Sequence, residues 1–393
     1  MPYMMPEYTR AKPYRLVFTA VLALCGTLNL VVLAYILRRH LFLNQDFLGF
    51  WAYPRFTPLT AIYNPDAMMH FQQSLYRGYH SFFPFTYPPD ALLFIKWLGT
   101  LPYNAARAIW LLAGLACFAV AGWALLRGPV AVLALLASPA ALLCIVLGQS
   151  SFFIGALLLG GLAALPRRPV LAGVLFGLLT LKPQMGVLLP VLLLAQGRWN
   201  AIAGAILTTG LLALLTCLAL PPDLWRLWLT SLPRIQQDYF SGGTNLSTMV
   251  TPAANALALG MAPHWAMALQ TACTLAAALC TWAAARRGSY NAAIAVLLGA
   301  TAIAQPHAYA YDLVTLPAAL ILGLRVLGLR AAPGWSVALG LVIYAGPLLL
   351  LSPWASSFYA APFLAALTAL LTWLALRPPA GAISPHVPIH PAV

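Results

Sequence analysis

Long apolar runs separated by short polar breaks recur along almost the whole chain. The runs are rich in Leu, Ala and Val and lack the alternation of apolar and polar positions that is typical of a half-buried strand. Because backbone groups inside a bilayer must be paired within the chain, such runs predict helices. Twelve membrane segments are predicted, at 16–37, 106–126, 129–147, 151–165, 169–181, 185–196, 200–219, 264–285, 290–304, 310–327, 334–351 and 356–376.

The composition agrees with this pattern, since 62% of the 393 residues are hydrophobic and only 7% are charged. A soluble core cannot absorb so much apolar surface, and the sequence therefore predicts an all-α polytopic integral membrane protein. Residues 1–376 are expected to form one transmembrane domain. Residues 377–393 are rich in Pro and contain His, and we interpret them as a disordered tail.

The formal net charge of +14 reflects topology once the basic residues are placed on the chain. With the N-terminus in the cytoplasm, every second connection carries arginine, which is the positive-inside pattern. The residues concerned are Arg127, Arg167, Arg168, Arg198, Arg286, Arg287, Arg325, Arg330 and Arg377. The pattern predicts a multi-pass protein of the plasma (inner) membrane with both termini cytoplasmic. The expected partners of these basic residues are the anionic headgroups of membrane lipids, and no nucleic-acid binding is expected.

The acidic residues indicate where function lies. Apart from Glu7, every acidic residue falls on the side opposite to the arginines, and so do two long loops at about 38–105 and 220–263. Within the first loop, Met68, Phe71, Leu75 and Tyr79 are spaced three to four apart, which predicts an amphipathic element along the outer interface. We therefore expect the active site to face the outside or periplasm.

Several predicted helices are too short to cross a bilayer. A helix of about 13 residues covers about 20 Å of a roughly 30 Å core, so such helices must tilt or end inside the membrane against other protein. Their outer turns would then line a recessed cavity. An alternative is that 169–196 forms one helix with Lys182 buried. That alternative would reverse the orientation of every later segment and spoil the charge pattern, so we favour two helices.

Asp46 and Lys182 are the strongest candidates for chemistry. Asp46 follows the first membrane segment and lies among aromatic residues. It is either a helix cap or a general base whose pKa is raised by partial burial. Lys182 stands between two apolar runs, where an unpaired cation is costly. It either binds a phosphate as a point charge or reaches back to the membrane surface.

Weaker candidates lie at the other outer breaks. Tyr87 precedes Pro88 and Pro89, which form either a rigid stub aimed into the cavity or an ordinary loop-to-helix junction. Gln149 ends a short helix. The stretch 302–314 has the composition of a cavity lining, and the spacing of His307 and Asp312 matches no metal motif. No metal site and no cofactor are predicted, and no nucleotide-binding or nucleophile motif is found.

In chain order, "QDFLGFWA", "AIYNPDAM", "FTYPPDALLF", "LPYNAARAIW", "GQSSFFIGALLLGGLAAL", "AGVLFGLLTLKPQMGVLLPVLLL" and "PHAYAYDLV" resemble the DUF2029 proteins. These form glycosyltransferase family 87, the polyprenyl-phosphate-mannose-dependent α-mannosyltransferases of the GT-C superfamily. The resemblance runs from about residue 40 to 315, and it depends on the order of several weak motifs.

The resemblance implies an inverting membrane glycosyltransferase with a polyprenyl-phosphate sugar as donor, mannose being the expected sugar, and a lipid or glycan hydroxyl as acceptor. It implies that Asp46 is the general base and that Lys182 neutralises the leaving phosphate, helped by Arg38, Arg39 or Arg55. The expected cavity residues are Trp51, Tyr87, Gln149, Gln184, His307, Tyr311 and Asp312.

Two other classes of protein remain open at this point. A secondary transporter or lipid-carrier translocase also has broken helices and polar groups in the membrane, but it is expected to show repeat symmetry between its halves, and the sequence shows none. A structural or assembly protein does not need Lys182 and Asp46 in one cavity.

Overall fold

The computed structural model describes residues 12–38, 45–75, 83–240, 246, 249–327, 334–347 and 360–377. Helices make up nearly all of this part of the chain. The α-helices are α1 (Lys12–Arg38), α2 (Gln45–Ala52), α3 (Pro65–Leu75), α4 (Asp90–Ile95), α5 (Tyr103–Leu126), α6 (Pro129–Leu136), α7 (Pro139–Leu147), α8 (Ser151–Ala164), α9 (Pro169–Gly177), α10 (Leu189–Ala195), α11 (Trp199–Ala219), α12 (Asp223–Phe240), α13 (Pro252–Ala258), α14 (Pro263–Arg287), α15 (Tyr290–Ala304), α16 (Leu316–Leu327), α17 (Gly334–Ala345) and α18 (Ala361–Leu376).

Within these described ranges, three helices are long and apolar enough to cross a membrane: α5, α11 and α14. The bent pair α6 and α7 is a fourth candidate if it is one span. Six further apolar helical stretches of 10 to 17 residues accompany them. The prediction of an all-helical, multi-pass membrane protein is confirmed, while the number of twelve spans stays a prediction.

The predicted segment 129–147 is broken, where the sequence pattern predicted one continuous helix. The axis of its second half is bent by 51° from that of its first half. Ser138 caps α7 by accepting a hydrogen bond from the backbone N–H of Ala141, and Pro139 occupies the first turn. The amide of Asn29 in α1 donates to the freed carbonyl of Ala137 at 2.8 Å. A side-chain cap, a proline and a polar partner from another helix together make this break stable.

The preference for two short helices in 169–196 is confirmed. After α9 the chain forms a 3-10 turn at Leu178–Leu181, Lys182 has a non-helical backbone (φ −146°, ψ 73°), and a second 3-10 turn precedes α10. A Cβ placed on Gly204 in α11 would lie 2.9 Å from the carbonyl oxygen of Val170. The start of α9 therefore lies beside the start of α11, into which α10 leads. The whole stretch is a hairpin that returns to the side where it began, with Lys182 at its tip.

Charged groups lie at opposite ends of the bundle. Arg127, Arg167 and Arg168 line one groove, and Arg325 donates to the carbonyl of Leu126 beside it. Asp312 contacts Ser151, the first residue of α8, whereas the arginines cluster where α8 ends. Because α8 has 14 residues, the two ends are about 21 Å apart along the helix axis.

The first predicted outer loop contains a packed aromatic layer. The predicted amphipathic element appears as α3, in which Met68 is buried and Phe71 packs on Phe56 with ring centroids 5.2 Å apart. The expected contribution of Tyr79 lies outside the described residues. In α3 the buried Gln72 exchanges two hydrogen bonds with the backbone of Phe83, at 2.8 and 3.1 Å. These bonds hold the extended segment that leads to Tyr87 and α4.

Candidate functional site

Aromatic packing fixes the orientation of Asp46 at the start of α2. One residue on, Phe47 is fully buried, and its ring centroid lies 5.5 Å from that of Tyr103. One turn on, the ring of Phe50 lies 5.3 Å from Trp110 and 5.5 Å from Tyr87. Because Phe47 and Phe50 are held in the aromatic packing, the partly exposed Asp46 side chain is directed towards the break between α7 and α8.

The main partner of Asp46 is Gln149. Gly148 ends α7 with a positive φ of 71°, and its carbonyl accepts a hydrogen bond from the indole of Trp110 at 3.1 Å. The next residue, Gln149, is 1% exposed, and its amide donates to Oδ2 of Asp46 at 2.6 Å. Across the described residues, no basic group lies at ion-pair distance from Asp46.

Burial raises the pKa of Asp46 to about 6, although the Gln149 hydrogen bond and the positive charge of Lys182 both act to lower it. The carboxylate is thus a stronger base than an ordinary aspartate, yet it is largely ionised at neutral pH. A general base requires this combination of basicity and ionisation.

Lys182 forms a buried ion pair with Oδ1 of Asp312. The two residues are 6% and 4% exposed. Asp312 also accepts a hydrogen bond from the Ser151 hydroxyl at 2.7 Å and one from the backbone N–H of Tyr309 at 3.2 Å. Lys182 therefore points into the protein, and the alternative that it reaches to the membrane surface does not describe this arrangement.

The segment before α16 supplies the other side of the site. The ring of Tyr311 lies with its centroid 5.4 Å from Nζ of Lys182 and stacks on Tyr309 at 5.3 Å. Nε2 of His307 lies 3.3 Å from the amide nitrogen of Gln184. Burial, and next the charge of Lys182, lower the pKa of His307 to about 4, so its imidazole is neutral at pH 7.

Trp51 and Arg55 contact each other, and the Trp51 ring also lies 5.5 Å from that of Tyr103. The guanidinium of Arg55 lies 3.5 Å from the centre of the Trp51 ring. Both side chains donate to the carbonyl of Leu101 at 3.0 Å, and Arg55 also donates to the carbonyl of Trp51. Arg38 is exposed at the end of α1, and Arg39 lies outside the described residues. The predicted phosphate-binding role of these three arginines stays a prediction.

The sequence interpretation missed two polar groups. Ser151 is the first residue of the predicted segment 151–165 and was given no role there, yet its hydroxyl donates to Asp312. Asp90 closes the "FTYPPD" motif, is 2% exposed and accepts from the Thr180 hydroxyl at 3.0 Å, while its Oδ1 has no partner. Burial raises its pKa. The available clue to Asp90 was its position three residues after Tyr87, in the same motif. The backbone of this motif is held in part by Tyr63, whose hydroxyl donates to the Tyr87 carbonyl at 3.0 Å.

Together, these residues bring a carboxyl group with a raised pKa and a buried cation into one region. The positive charge of Lys182 acts to lower the pKa of Asp46, so the two groups interact electrostatically. The described residues contain no group of three or more His, Cys, Asp or Glu side chains with the geometry to hold a metal ion. The arrangement can accept a proton at Asp46 and stabilise negative charge near Lys182.

The family model described as Glycosyltransferase family 87 matches residues 85–306, which is more than half of the chain. The matched region contains Tyr87, Gln149 and Lys182, whereas Asp46 precedes it and Asp312 follows it. No curated protein and no solved structure shows significant similarity to the chain.

Proposed function

The chain belongs to glycosyltransferase family 87, and from this premise we propose an inverting transfer of a sugar from a polyprenyl-phosphate donor to a hydroxyl acceptor, with Asp46 as the general base. That the protein is a membrane glycosyltransferase follows from its family and its apolar helices. The donor, the acceptor and the residue roles are the proposed part.

The observation that carries the proposal is the environment of Asp46. Its carboxylate accepts one strong hydrogen bond from Gln149 and has no cationic partner at ion-pair distance among the described residues. A permanently paired carboxylate would be a poor base. Asp46 instead keeps a raised pKa of about 6, with the charge of Lys182 near enough to act on it.

In the proposed step, an oxygen of the acceptor hydroxyl attacks the anomeric carbon of the sugar. The new C–O bond forms as the bond between the anomeric carbon and the phosphate oxygen breaks. Asp46 takes the hydroxyl proton, and the lipid phosphate leaves with the electron pair. Because attack and departure occur on opposite faces, a β-linked donor gives an α-linked product. No nucleotide-binding motif is required, since the donor is a lipid phosphate.

Lys182 is the proposed partner of the leaving phosphate. Its ammonium group has three donors, and Asp312 accepts from it, which leaves donor capacity for phosphate oxygens. A fixed cation in a water-poor site stabilises developing negative charge strongly. The ion pair with Asp312 holds the ammonium in place, and Tyr311, His307 and Gln184 form the proposed wall around it.

The proposed orientation places this site towards the outside of the cell, with the arginine-rich end in the cytoplasm and up to twelve membrane segments between them. The separation of charges along α8 supports this orientation, because basic residues favour the cytoplasmic side. A donor presented from the outer leaflet can then reach Lys182 and Asp46 from one side.

A donor competition experiment tests the proposal. Purified protein in detergent is incubated with radiolabelled polyprenyl-phosphate mannose, with other polyprenyl-phosphate sugars or with nucleotide sugars, each with a set of lipid and glycan acceptors. We expect transfer from a polyprenyl-phosphate sugar only, and an α-anomeric product by NMR. Transfer from a nucleotide sugar, or a product that retains the β configuration, would contradict the proposal. Uptake of an intact lipid or sugar into proteoliposomes, without transfer, would favour a transporter.

A further inference from the structure

A second concave surface lies at the opposite end of the bundle from Asp46. It has a volume of about 590 Å³ and lies where α5 and α8 end and α9 begins. Three arginines line it, namely Arg127, Arg167 and Arg168. We call this surface the arginine groove. It shares no residue with the candidate transferase site.

Among the described residues, the arginines of the groove form no ion pair with an acidic side chain. The ion pairs of the described residues involve Lys182, Arg226 and Arg234 only. No described acidic residue lines the groove, and Asp312, which contacts α8, lies at the far end of that helix and is already paired with Lys182. Arg325, which donates to the carbonyl of Leu126, adds a fourth positive charge beside the groove. Such a local concentration of positive charge favours the binding of an anionic group.

The backbone adds to the positive potential. Helix α9 begins at Pro169, directly after Arg168, and its first free N–H groups belong to Val170 and Leu171. The positive end of the helix dipole therefore lies at the groove. This feature joins the three side chains in favouring an anionic group.

The remaining walls of the groove are apolar. Trp123 is 54% exposed and Leu171 is 42% exposed, and Leu175 and several alanines complete the lining. A hydrated free anion gains nothing from such walls, whereas an acyl chain does. Trp123 lies at the end of α5, the place in a membrane helix where tryptophan commonly meets the headgroup region.

We propose that the arginine groove is a binding site for one anionic phospholipid of the leaflet at that end of the bundle. The phosphate and its charged headgroup bind Arg127, Arg167 and Arg168, and the first part of an acyl chain lies against Trp123 and Leu171. The proposal is independent of the transferase reaction, because it uses none of the residues of that site.

Native mass spectrometry of the full chain in detergent tests the proposal. Purified protein is titrated with dioleoyl phosphatidylglycerol and, separately, with dioleoyl phosphatidylcholine. The double variant R167Q/R168Q removes two groove arginines. The matched control R287Q/R377Q removes two arginines near the contact between α14 and α18, where Gly288 lies against Ala375 outside the groove.

We expect one phosphatidylglycerol to bind in preference to phosphatidylcholine, and R167Q/R168Q to weaken that binding by about tenfold or more while the control retains it. Equal losses in the two double variants would mean that the charge acts diffusely, and would overturn the groove as a site. Two tests on the wild type need no variant. Equal binding of the two lipids, or displacement of phosphatidylglycerol by excess inorganic phosphate, would each overturn the assignment to an anionic phospholipid.

Discussion

At the scale of single residues, the protonation of Asp46 is the property on which the proposed reaction depends. A group with a raised pKa of about 6 is protonated in weak acid and ionised at neutral pH. Only the ionised form can accept a proton from the acceptor. We therefore expect the transfer rate to be constant above pH 7 and to fall about tenfold per pH unit well below pH 6. A pH–rate profile at saturating donor checks this, and a flat profile between pH 4.5 and about 7 would contradict the assigned base.

The hydrogen bond from Gln149 should set the pH at which the transfer rate begins to fall, which we call the acid limb of the profile. In the Gln149→Leu variant the ionised form of Asp46 loses its donor, so its pKa should rise and the limb should move to higher pH by about one unit or more. Gln196→Leu serves as a control, because Gln196 follows α10 at the other end of the hairpin. An unchanged pH–rate profile in Gln149→Leu would mean that Asp46 is not the group whose ionisation controls the transfer rate.

We expect the buried pair of Lys182 and Asp312 to contribute both to stability and to the proposed reaction. Lys182→Met leaves the Asp312 carboxylate buried without its cation, which should cost about 3–5 kcal/mol of stability. The double variant Lys182→Met/Asp312→Asn removes both charges. We expect it to regain much of the lost thermal stability in detergent, yet to remain slower than the wild type by about two orders of magnitude, since no cation faces the phosphate.

Three outcomes of that double-variant cycle can be told apart. Recovery of both stability and activity in the double variant would mean that Lys182 has only a structural role. Loss of activity without any loss of stability in Lys182→Met would contradict the importance of the ion pair for folding. Stability regained without activity is the result that the proposal requires.

The sequence was most informative for those residues that are rare in an apolar chain. Asp46 and Lys182 could be selected because an isolated charge near or within a membrane needs a reason. The sequence could not predict which cavity residue each of them contacts, because Gln149 and Asp46 are 103 positions apart and Lys182 and Asp312 are 130 apart. Arg55 was expected to face phosphate, but its stacking on Trp51 depends on a turn that the hydrophobic pattern does not encode.

At the scale of helices, close approach between α9 and α11 holds the hairpin that presents Lys182. A Cβ on Gly173 would lie 2.3 Å from the carbonyl oxygen of Ala201, so alanine cannot fit without moving the backbone. We expect Gly173→Ala to cost about 1–3 kcal/mol of stability. Gly210 in α11 has no atom within 4 Å of such a Cβ. Gly210→Ala should therefore be neutral or slightly stabilising.

The apparent melting temperature of the two variants in the same detergent measures this difference. Equal melting temperatures would mean that α9 and α11 do not pack as closely as described.

The helix pattern itself was predictable from apolar runs, and the break at Lys182 was predictable from Pro183 and the charge. The break at Ser138 was missed, because "LLASPAALL" remains apolar enough to read as one helix.

At the scale of the whole molecule, two charged regions lie at the two ends of the bundle. The sequence predicted their separation, since arginine and aspartate fall on alternate connections. It could not predict that three arginines would line one groove with apolar walls, because α5, α8 and α9 meet only in the folded chain. The short helices also agree with a bundle in which several segments end inside the membrane.

The rate of sugar transfer by Asp46→Asn is the most direct test of the central claim. Asparagine keeps the shape of the side chain and loses its basicity. Asp66→Asn is the matched control, because Asp66 is an exposed acid in the neighbouring helix α3. With equal donor binding in all three proteins, we expect Asp46→Asn to lose at least about 100-fold in rate and Asp66→Asn to match the wild type. A rate for Asp46→Asn within a few-fold of the wild type would contradict the assignment of Asp46 as the general base.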